Sequence, residues 1–406
     1  MRVLYFHQHF STPKGSVGIR SYEFSKRLLK RGHEVTVVCG TYLGGTTGLH
    51  GPFKNGMRVG HVEGIKVIEF QLNYSNSVNP LNRVILGMKY AFKSSKLIFS
   101  ESYDLVFATS TPLTAGIPGI VARWIKNKPF IFEVRDLWPE LPKALGAIKN
   151  PLILFLMSAL ERVSYHSANH LIALSPGILK GIESKGIDLK KITLIPNGCD
   201  LDIFSADAHQ LRPEEIKDSD LLLLYAGTHG AANGLDALLE AALELQNRGH
   251  EDIKFLLIGQ GGEKNNLIRH SQENNLRNVI FHNPISKEEL SNLMSASDIG
   301  LQILANVPAF YYGTSPNKFF DYIAAGLPVL NNYPGWLAEM IEEHDCGYLV
   351  NPDNPMHFAD IIEIIKKDIL DLERKGKNSR LLAVKKFDRN NLSNAWVDVL
   401  ENIFLK

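Results

Sequence analysis

Residues 315–329, Ser-Pro-Asn-Lys-Phe-Phe-Asp-Tyr-Ile-Ala-Ala-Gly-Leu-Pro-Val, bring together side chains that could handle a phosphate and a sugar. A polar turn containing Pro316 leads into an apolar helical face, with Phe320, Ile323 and Ala324 at i, i+3 and i+4. Gly326 and Pro328 stop the helix and a buried strand follows. Lys318 and Asp321 are three apart, on one side of the first turns. A helix N-terminus offers unpaired N–H groups and the positive end of a dipole, which suits a phosphate. A carboxylate one turn further on suits a sugar diol. An ordinary helix–strand unit with a surface lysine and aspartate fits the same letters.

Other stretches could join such a centre. Arg135-Asp136-Leu137-Trp138-Pro139-Glu140 follows the strand expected at 129–134, and the carboxyl end of a parallel strand is where open α/β sheets place ligands. Arg135 and Asp136 could equally pair with each other as structure alone. The loop 9–18 carries Gly15 and Gly18, which would let a backbone pass close to a phosphate. Its spacing is not G-x-G-x-x-G, so a plain turn is the competing reading. A second polar glycine loop, 227–234, contains His229 and Asn233. Tyr311, Tyr312 and Trp138 could stack on sugar rings or simply pack a core. Asp200-Leu-Asp202 has the letters of a metal motif but falls in a hinge, and His7-Gln8-His9 ends the first strand as structural histidines would. No metal is expected.

The elements that must position these residues alternate strand and helix. Strands are expected at 2–7, 34–39, 67–70, 104–108, 129–134, 171–174 and 192–195, with helices at 19–31, 81–99, 115–125, 152–166 and 176–185. Residues 41–58, rich in Gly and Thr, are expected to be a flexible excursion. Pro196-Asn197-Gly198 and the polar stretch 205–220 look like a joint. The pattern then restarts with strands at 220–226, 253–258, 279–281 and 299–304. Ser286 and Glu289 form a capping box for a helix at 286–296. After Val350-Asn351-Pro352, two helices finish the chain, and Phe387 and Trp396 suggest that the last of them docks on the first domain. Two consecutive βαβ series imply an α/β protein of two doubly wound parallel-sheet domains with a cleft between them, residues 1–200 and 201–385, with residues 386–406 packing back on the first.

The totals agree with a globular chain. Of 406 residues 45% are hydrophobic and 21% charged, and the net charge is +1. The charge is uneven: residues 1–130 hold 17 Lys/Arg and 6 Asp/Glu, and the remainder holds 27 and 37. A basic first part points to an anionic partner for it, and solvated helix faces would give the same excess. The neutral total gives no reason to expect nucleic acid. Cys39, Cys199 and Cys346 are far apart and odd in number, which fits a reducing compartment. The opening MRVLYF reads as a strand, too short for a signal peptide. No run approaches the roughly 18 apolar residues of a spanning helix. A soluble cytoplasmic protein is expected, possible at the inner face of a membrane.

The order of motifs resembles the retaining glycosyltransferases of the two-domain GT-B fold, the large family numbered four. The pieces that carry the resemblance are PKGSVGIRSYEFSKRL, IPNGCDLDIF, YAGTHGAANGLDALLEA, LIGQGGEK and SPNKFFDYIAAGLPVL. VRDLWPE and SPNKFFDYIAAG look most like the subgroup that builds bacterial capsule and O-antigen units, some of which transfer N-acetylated deoxy sugars such as L-fucosamine. The resemblance implies that Asp321 takes the place of the second acid of an E-x7-E motif, which binds ribose hydroxyls. It puts Thr314, Ser315, Asn317 and Lys318 where the diphosphate and donor sugar are met, and Gly15 and Gly18 in the loop opposite. It places His229 and Asn233 in the second-domain phosphate loop, Ile285 where the base is read, and Arg135 and Asp136 at the acceptor-side His-Asp position.

The sequence departs from the family at three points. Gly313 stands where the first acid of E-x7-E would be. Thr228, His229 and Asn233 stand near the usual basic pair, and Arg135 replaces the acceptor-side His. Lys318 and Arg135 are expected to supply the missing positive charge, because a departing nucleotide diphosphate builds up negative charge that fixed cations and N–H groups stabilise. The implied reaction, without cofactor or metal, moves a sugar from a nucleotide diphosphate sugar, UDP-linked by resemblance, to a saccharide acceptor in surface polysaccharide synthesis. The basic first part and the apolar helix after Pro151 lead to the expectation that this acceptor is anionic and lipid diphosphate-linked. Retaining glycosidases use two carboxylates about 5 Å apart. Here Asp136 is the one obvious acceptor-side carboxylate, which fits a front-face route in which the leaving phosphate takes the acceptor's proton. Two other classes stay open: a catalytically silent sugar-nucleotide-binding partner subunit, which the missing acid and basic pair favour, and a sugar-nucleotide epimerase on the same fold.

Overall fold

Near-continuous apolar runs such as Leu105–Thr109 and Phe130–Val134 are buried on both faces, as central strands of a parallel sheet must be. The computed structural model describes residues 1–75, 78–146, 148–204 and 212–405. Two units emerge: Met1–Asn197 with Tyr312–Ser315 and Asn390–Lys406, and Gly198–Tyr311 with Pro316–Arg389. Of the expected joint at 205–220, residues 205–211 lie outside the described residues, as does position 406 of the last helix.

The first unit is built on β1 (Arg2–Phe6), β2 (Glu34–Tyr42), β3 (Met57–Val62), β4 (Ile65–Tyr74), β5 (Leu105–Thr109), β6 (Phe130–Val134), β7 (His170–Ala173) and β8 (Ile192–Leu194). Their order in the sheet is β3-β4-β2-β1-β5-β6-β7-β8, and all pairs are parallel except β3 with β4. The chain winds outward from β1 in one direction, then restarts at β5 and winds in the other. The β1/β5 boundary is therefore the switch point of this sheet.

The strand expected at 67–70 forms within the longer β4, and the expected excursion over 41–58 is corrected at its ends, where β2 reaches Tyr42 and β3 begins at Met57. Residues 57–74 form an antiparallel hairpin that turns through Glu63 and Gly64, both at positive φ. β3 is an edge strand with half-exposed side chains and a glycine, so it carries little of the apolar signal by which strands are recognised.

The second unit has β9 (Leu221–Ala226), β10 (Ile253–Ile258), β11 (Val279–His282), β12 (Ile299–Gln302), β13 (Val329–Asn331) and β14 (Gly347–Leu349). The order is β11-β10-β9-β12-β13-β14, with every pair parallel. Its switch point is the β9/β12 boundary. The capping box at Ser286 and Glu289 forms as expected.

Residues Pro308–Gly313, which carry Tyr311 and Tyr312, are a short helix. One further expectation is corrected. The chain ends in three helices, Pro355–Lys367, Ile369–Lys386 and Arg389–Phe404, where two were expected. Asp368 closes the first and caps the second by accepting from the Asp371 N–H, so the break occupies a single residue. Phe387 precedes the last helix and packs edge-on against Phe320 at 5.1 Å in the second unit. Trp396 lies in the first unit, against Tyr5, Phe24 and Phe107.

Candidate functional site

In the second unit the helix Asn317–Ala325 carries the candidate residues to the β9/β12 switch point. Phe319, Phe320, Tyr322, Ile323 and Ala324 are buried. The Tyr322 hydroxyl accepts from the Ala226 N–H at 3.0 Å and donates to the Leu301 carbonyl at 3.3 Å, so one side chain fastens the helix to the ends of β9 and β12. Gly326 ends the helix with φ +77°, and the Leu327 N–H returns to the Tyr322 carbonyl, as the expected stop signal requires. No side chain caps the N-terminus at Pro316, which leaves first-turn N–H groups to another partner.

Lys318 is half-buried. Its Nζ lies 3.2 Å from the Tyr225 hydroxyl, 3.1 Å from Asn233 Oδ1 and 4.6 Å from the centre of the Tyr225 ring. Burial lowers its pKa to about 7, because these neutral partners replace water without supplying a counter-charge. Gly227 leaves room for the lysine, since a Cβ there would stand 2.9 Å from Lys318 Cε. A Cβ on Gly259 would stand 1.8 Å from the Gly227 carbonyl, and one on Gly261 2.2 Å from that of His229. The loops after β9 and β10 are therefore packed backbone to backbone. Lys264, which the sequence reading did not single out, fastens the second loop by donating to the carbonyls of Gly259 and His282 and to Asn283 Oδ1.

Lys318 and Asp321 share a helix but reach different surroundings. Asp321 is buried and accepts from Lys287 at 2.8 Å. His229 is fully buried against Tyr225 and Phe281, and burial together with Lys264 and Lys318 pulls its pKa down to about 4. It is a neutral ring near pH 7, not a cation. Asn317 opens the helix, Asn233 touches Lys318, and Ile285 is half-buried between β11 and the capped helix Lys287–Ser295. Thr314 and Ser315 group with the first unit, where Asn197 donates from its side chain to the Ser315 carbonyl at 2.6 Å and from its backbone to the Ser315 hydroxyl at 3.2 Å.

In the first unit the expected residues gather at the carboxyl ends of β1, β5 and β6. The Arg135 N–H donates to Ser110 Oγ, and its guanidinium reaches toward His7 Nε2 at 3.4 Å. His7 Nδ1 lies 2.7 Å from Ser21 Oγ. With Nε2 accepting, Nδ1 carries the proton, and burial plus Arg135 hold this histidine neutral. His9 packs between Tyr42 and Tyr74, and burial takes its pKa down to about 3. Asp136 is half-buried, with its pKa raised by burial and opposed by Arg135 and a hydrogen bond from Thr111. The Gln8 amide is buried with neither end hydrogen-bonded. Gly15 has a packing reason to be glycine, because a Cβ would meet Ser11 Oγ at 2.3 Å and the Gly44 carbonyl at 2.9 Å. Gly18 precedes the helix Arg20–Lys30.

Asp200 is bound to Lys287 and Arg389, and among the described residues no three His, Cys, Asp or Glu side chains gather as a metal would require.

Residues 17–203 match the family described as Glycosyltransferase Family 4, and residues 207–381 match Glycosyl transferases group 1. Among curated relatives, the putative colanic acid biosynthesis glycosyl transferase WcaI of Escherichia coli (strain K12) is 27% identical over 48% of this chain and 49% of that protein. The UDP-Gal:alpha-D-GlcNAc-diphosphoundecaprenol alpha-1,3-galactosyltransferase of Escherichia coli is 22% identical over 79% of this chain and 81% of its own length. The chain spans about half the length of the first curated relatives it matches. Among solved structures, sucrose-phosphate synthase from Thermosynechococcus elongatus superposes with a TM-score of 0.77 at 18% identity, covering 100% of this chain and 99% of the other. Anabaena HepE in complex with UDP-glucose superposes with a TM-score of 0.69 at 17% identity, covering 99% and 100%. These likenesses establish the fold as GT-B.

Proposed function

We propose, from the premise that this chain carries a Glycosyltransferase Family 4 domain followed by a Glycosyl transferases group 1 domain, that it transfers a sugar from a nucleotide diphosphate sugar to a saccharide acceptor with retention of configuration. The observation that carries this reading is Lys318: a half-buried amine at an uncapped helix start, at the β9/β12 switch point, beside a loop whose glycines bring backbone close. In that place it can meet the negative charge that grows on a departing diphosphate. Asn317, Lys318, the 227–234 loop with His229 and Asn233, Asp321 and Ile285 form the donor part, with Thr314, Ser315, Gly15 and Gly18 as further donor contacts. Arg135 and Asp136 orient the acceptor. UDP-linked sugars are the donor class, supported by a structural neighbour solved with UDP-glucose, with N-acetylated sugars taken from the family resemblance; a lipid diphosphate-linked saccharide is the acceptor, supported by the galactosyltransferase relative. Surface polysaccharide synthesis, of capsule or O-antigen, is the setting.

Pure protein incubated with labelled UDP-sugars and an undecaprenyl-diphosphate-linked saccharide tests the reading. Transfer is expected, with the donor's α configuration seen in the product by NMR. Nucleotide binding without hydrolysis or transfer would make the protein a silent binder. Interconversion of donor sugars without acceptor would make it an epimerase, and an inverted product would end the retaining assignment.

We further propose a membrane-surface partner for the first unit. No described helix is long and apolar enough to cross a membrane. The helices Pro80–Ser100, Ile117–Ile125 and Pro151–Ser167 pack side by side and expose Phe92 at 66%, Trp124 at 68% and Phe155 at 67%. Cations lie against this apolar surface, with Lys96 over Phe92, Lys126 over Phe99 and Arg123 over Trp124. Lys93, on the same helix, turns instead to the Gly56 carbonyl. Aromatic rings interleaved with cations suit an anionic interface, where each Lys or Arg adds about 1 kcal/mol. Vesicles containing anionic lipid should bind the protein, and neutral ones much less. Phe92→Ser with Phe155→Ser should weaken that binding by about tenfold or more. Equal binding to both vesicle types would remove the proposal.

A further inference from the structure

Asp321 belongs to a buried set of four charges drawn from distant parts of the second unit. Lys287 Nζ donates to Asp321 Oδ1 at 2.8 Å and to Asp200 Oδ2 at 3.1 Å. Arg389 pairs with both oxygens of Asp200 and donates to the Gly198 carbonyl at 2.5 Å. Side-chain exposure is 5% to 8% throughout, and the Phe204 ring lies 5.2 Å from Lys287 Nζ. Two carboxylates and two cations balance, so the set is electrically closed.

Closure alone gives weak support to stability, since buried ion pairs are often replaceable by apolar residues without loss. The geometry points further. Lys287 donates to Oδ1 of Asp321, and among the described residues no hydrogen bond to Oδ2 is seen. Asp200 competes for the same lysine and would repel Asp321 if the lysine were absent, while Arg389 neutralises Asp200 and leaves Lys287 to serve both. The result is a carboxylate with one oxygen held by Lys287 and the other without a hydrogen bond among the described residues.

We propose that Lys287 is a positioning residue: it holds Asp321 so that Oδ2 accepts from a ribose hydroxyl of the donor nucleotide, and thereby makes the site selective for ribonucleoside over deoxyribonucleoside diphosphates. This rests on the donor-site reading above and adds to it the residue that enforces the sugar of the nucleotide. Without Lys287, Asp321 faces Asp200 in a poorly hydrated place and takes up a proton, which turns an acceptor into a donor and frees the carboxyl to rotate.

Calorimetric titration of the full chain with UDP, 2′-deoxy-UDP and 3′-deoxy-UDP tests it. The wild type should bind UDP about tenfold tighter than at least one deoxy form, which corresponds to about 1.4 kcal/mol. Lys287→Met should bring the ratio to within about twofold, with affinity for the deoxy form little changed, and Lys287→Arg should restore most of the preference. A purely structural lysine would weaken all three ligands alike and leave the ratio intact, which would overturn the proposal. A wild type that binds UDP and both deoxy forms equally would overturn it too. A wild type that binds none of them would instead sink the donor site, and the clamp with it.

Should Lys287→Met fail to fold, the wild type measured across pH decides. The groups facing Asp321 are Lys287, Asp200 and Arg389, with Cys199 nearby. Burial raises the Asp321 pKa above the ordinary carboxylate value, so the ribose preference should shrink as pH falls below neutral. A preference that stayed flat over that range would count against the proposal.

Discussion

Replacing Lys318 with alanine should cut turnover by about two to three orders of magnitude, equivalent to about 3–4 kcal/mol of transition-state stabilisation. The size follows from position. Among the described residues the amine meets only the neutral Tyr225 hydroxyl and Asn233 amide, so its charge is unspent until a diphosphate arrives. His229 cannot replace it, because its pKa of about 4 leaves that ring neutral. Steady-state assay of labelled donor transfer measures the loss, and near-normal turnover would remove Lys318 from the mechanism.

The same residue makes binding pH-dependent in a known direction. In the empty protein Lys318 has a pKa lowered to about 7. A diphosphate beside it favours the ammonium form and raises that value. Nucleoside diphosphate binding at about pH 8 should therefore take up a proton, and affinity should fall as pH rises from about 7 toward the bound pKa, by up to tenfold per unit. Calorimetry in two buffers of different ionisation enthalpy reads the uptake, and Lys318→Ala should abolish it. Proton release on binding would contradict the assignment.

The second large effect concerns the last helix. Trp396→Ala should destabilise the first unit by about 3–5 kcal/mol, the usual cost of removing a buried tryptophan. Trp396 is fully buried with its ring centre 4.8 Å from those of Phe24 and Phe107 and 5.9 Å from Tyr5. Polar contacts also hold this helix, from Arg27 to Ser393 and Asn390, from Arg31 to Asp398 and Glu401, and from His33 to Glu401. These ion pairs are partly exposed, and such pairs contribute about 0–1 kcal/mol each. The ring therefore decides the docking. Trp396→Phe should cost much less, about 1 kcal/mol, because it keeps an aromatic ring and removes an indole N–H that has no hydrogen-bond partner. Urea unfolding separates the two variants, and an alanine variant as stable as the wild type would show that the helix is held some other way.

The amino-acid sequence by itself determined what short-range physics controls. The buried strands announced themselves as apolar runs, and Gly326 stopped its helix by adopting a positive φ. Ser286 and Glu289 capped theirs within four residues, and Lys318 stood at a helix start readable from Ser-Pro-Asn. Each signal lies within one turn or one strand, so the letters suffice. The tertiary structure alone decided what depends on returns of the chain. Lys287 carries no local signal in the first turn of its capped helix, yet it meets Asp321, 34 positions away, and Asp200, 87 positions away. Arg389 reaches Asp200 across 189 positions. His229 resembled a phosphate ligand by its place in the loop, until burial against Tyr225 and Phe281 made it neutral. A charge's role depends on its surroundings, and those are supplied by segments that no local pattern connects.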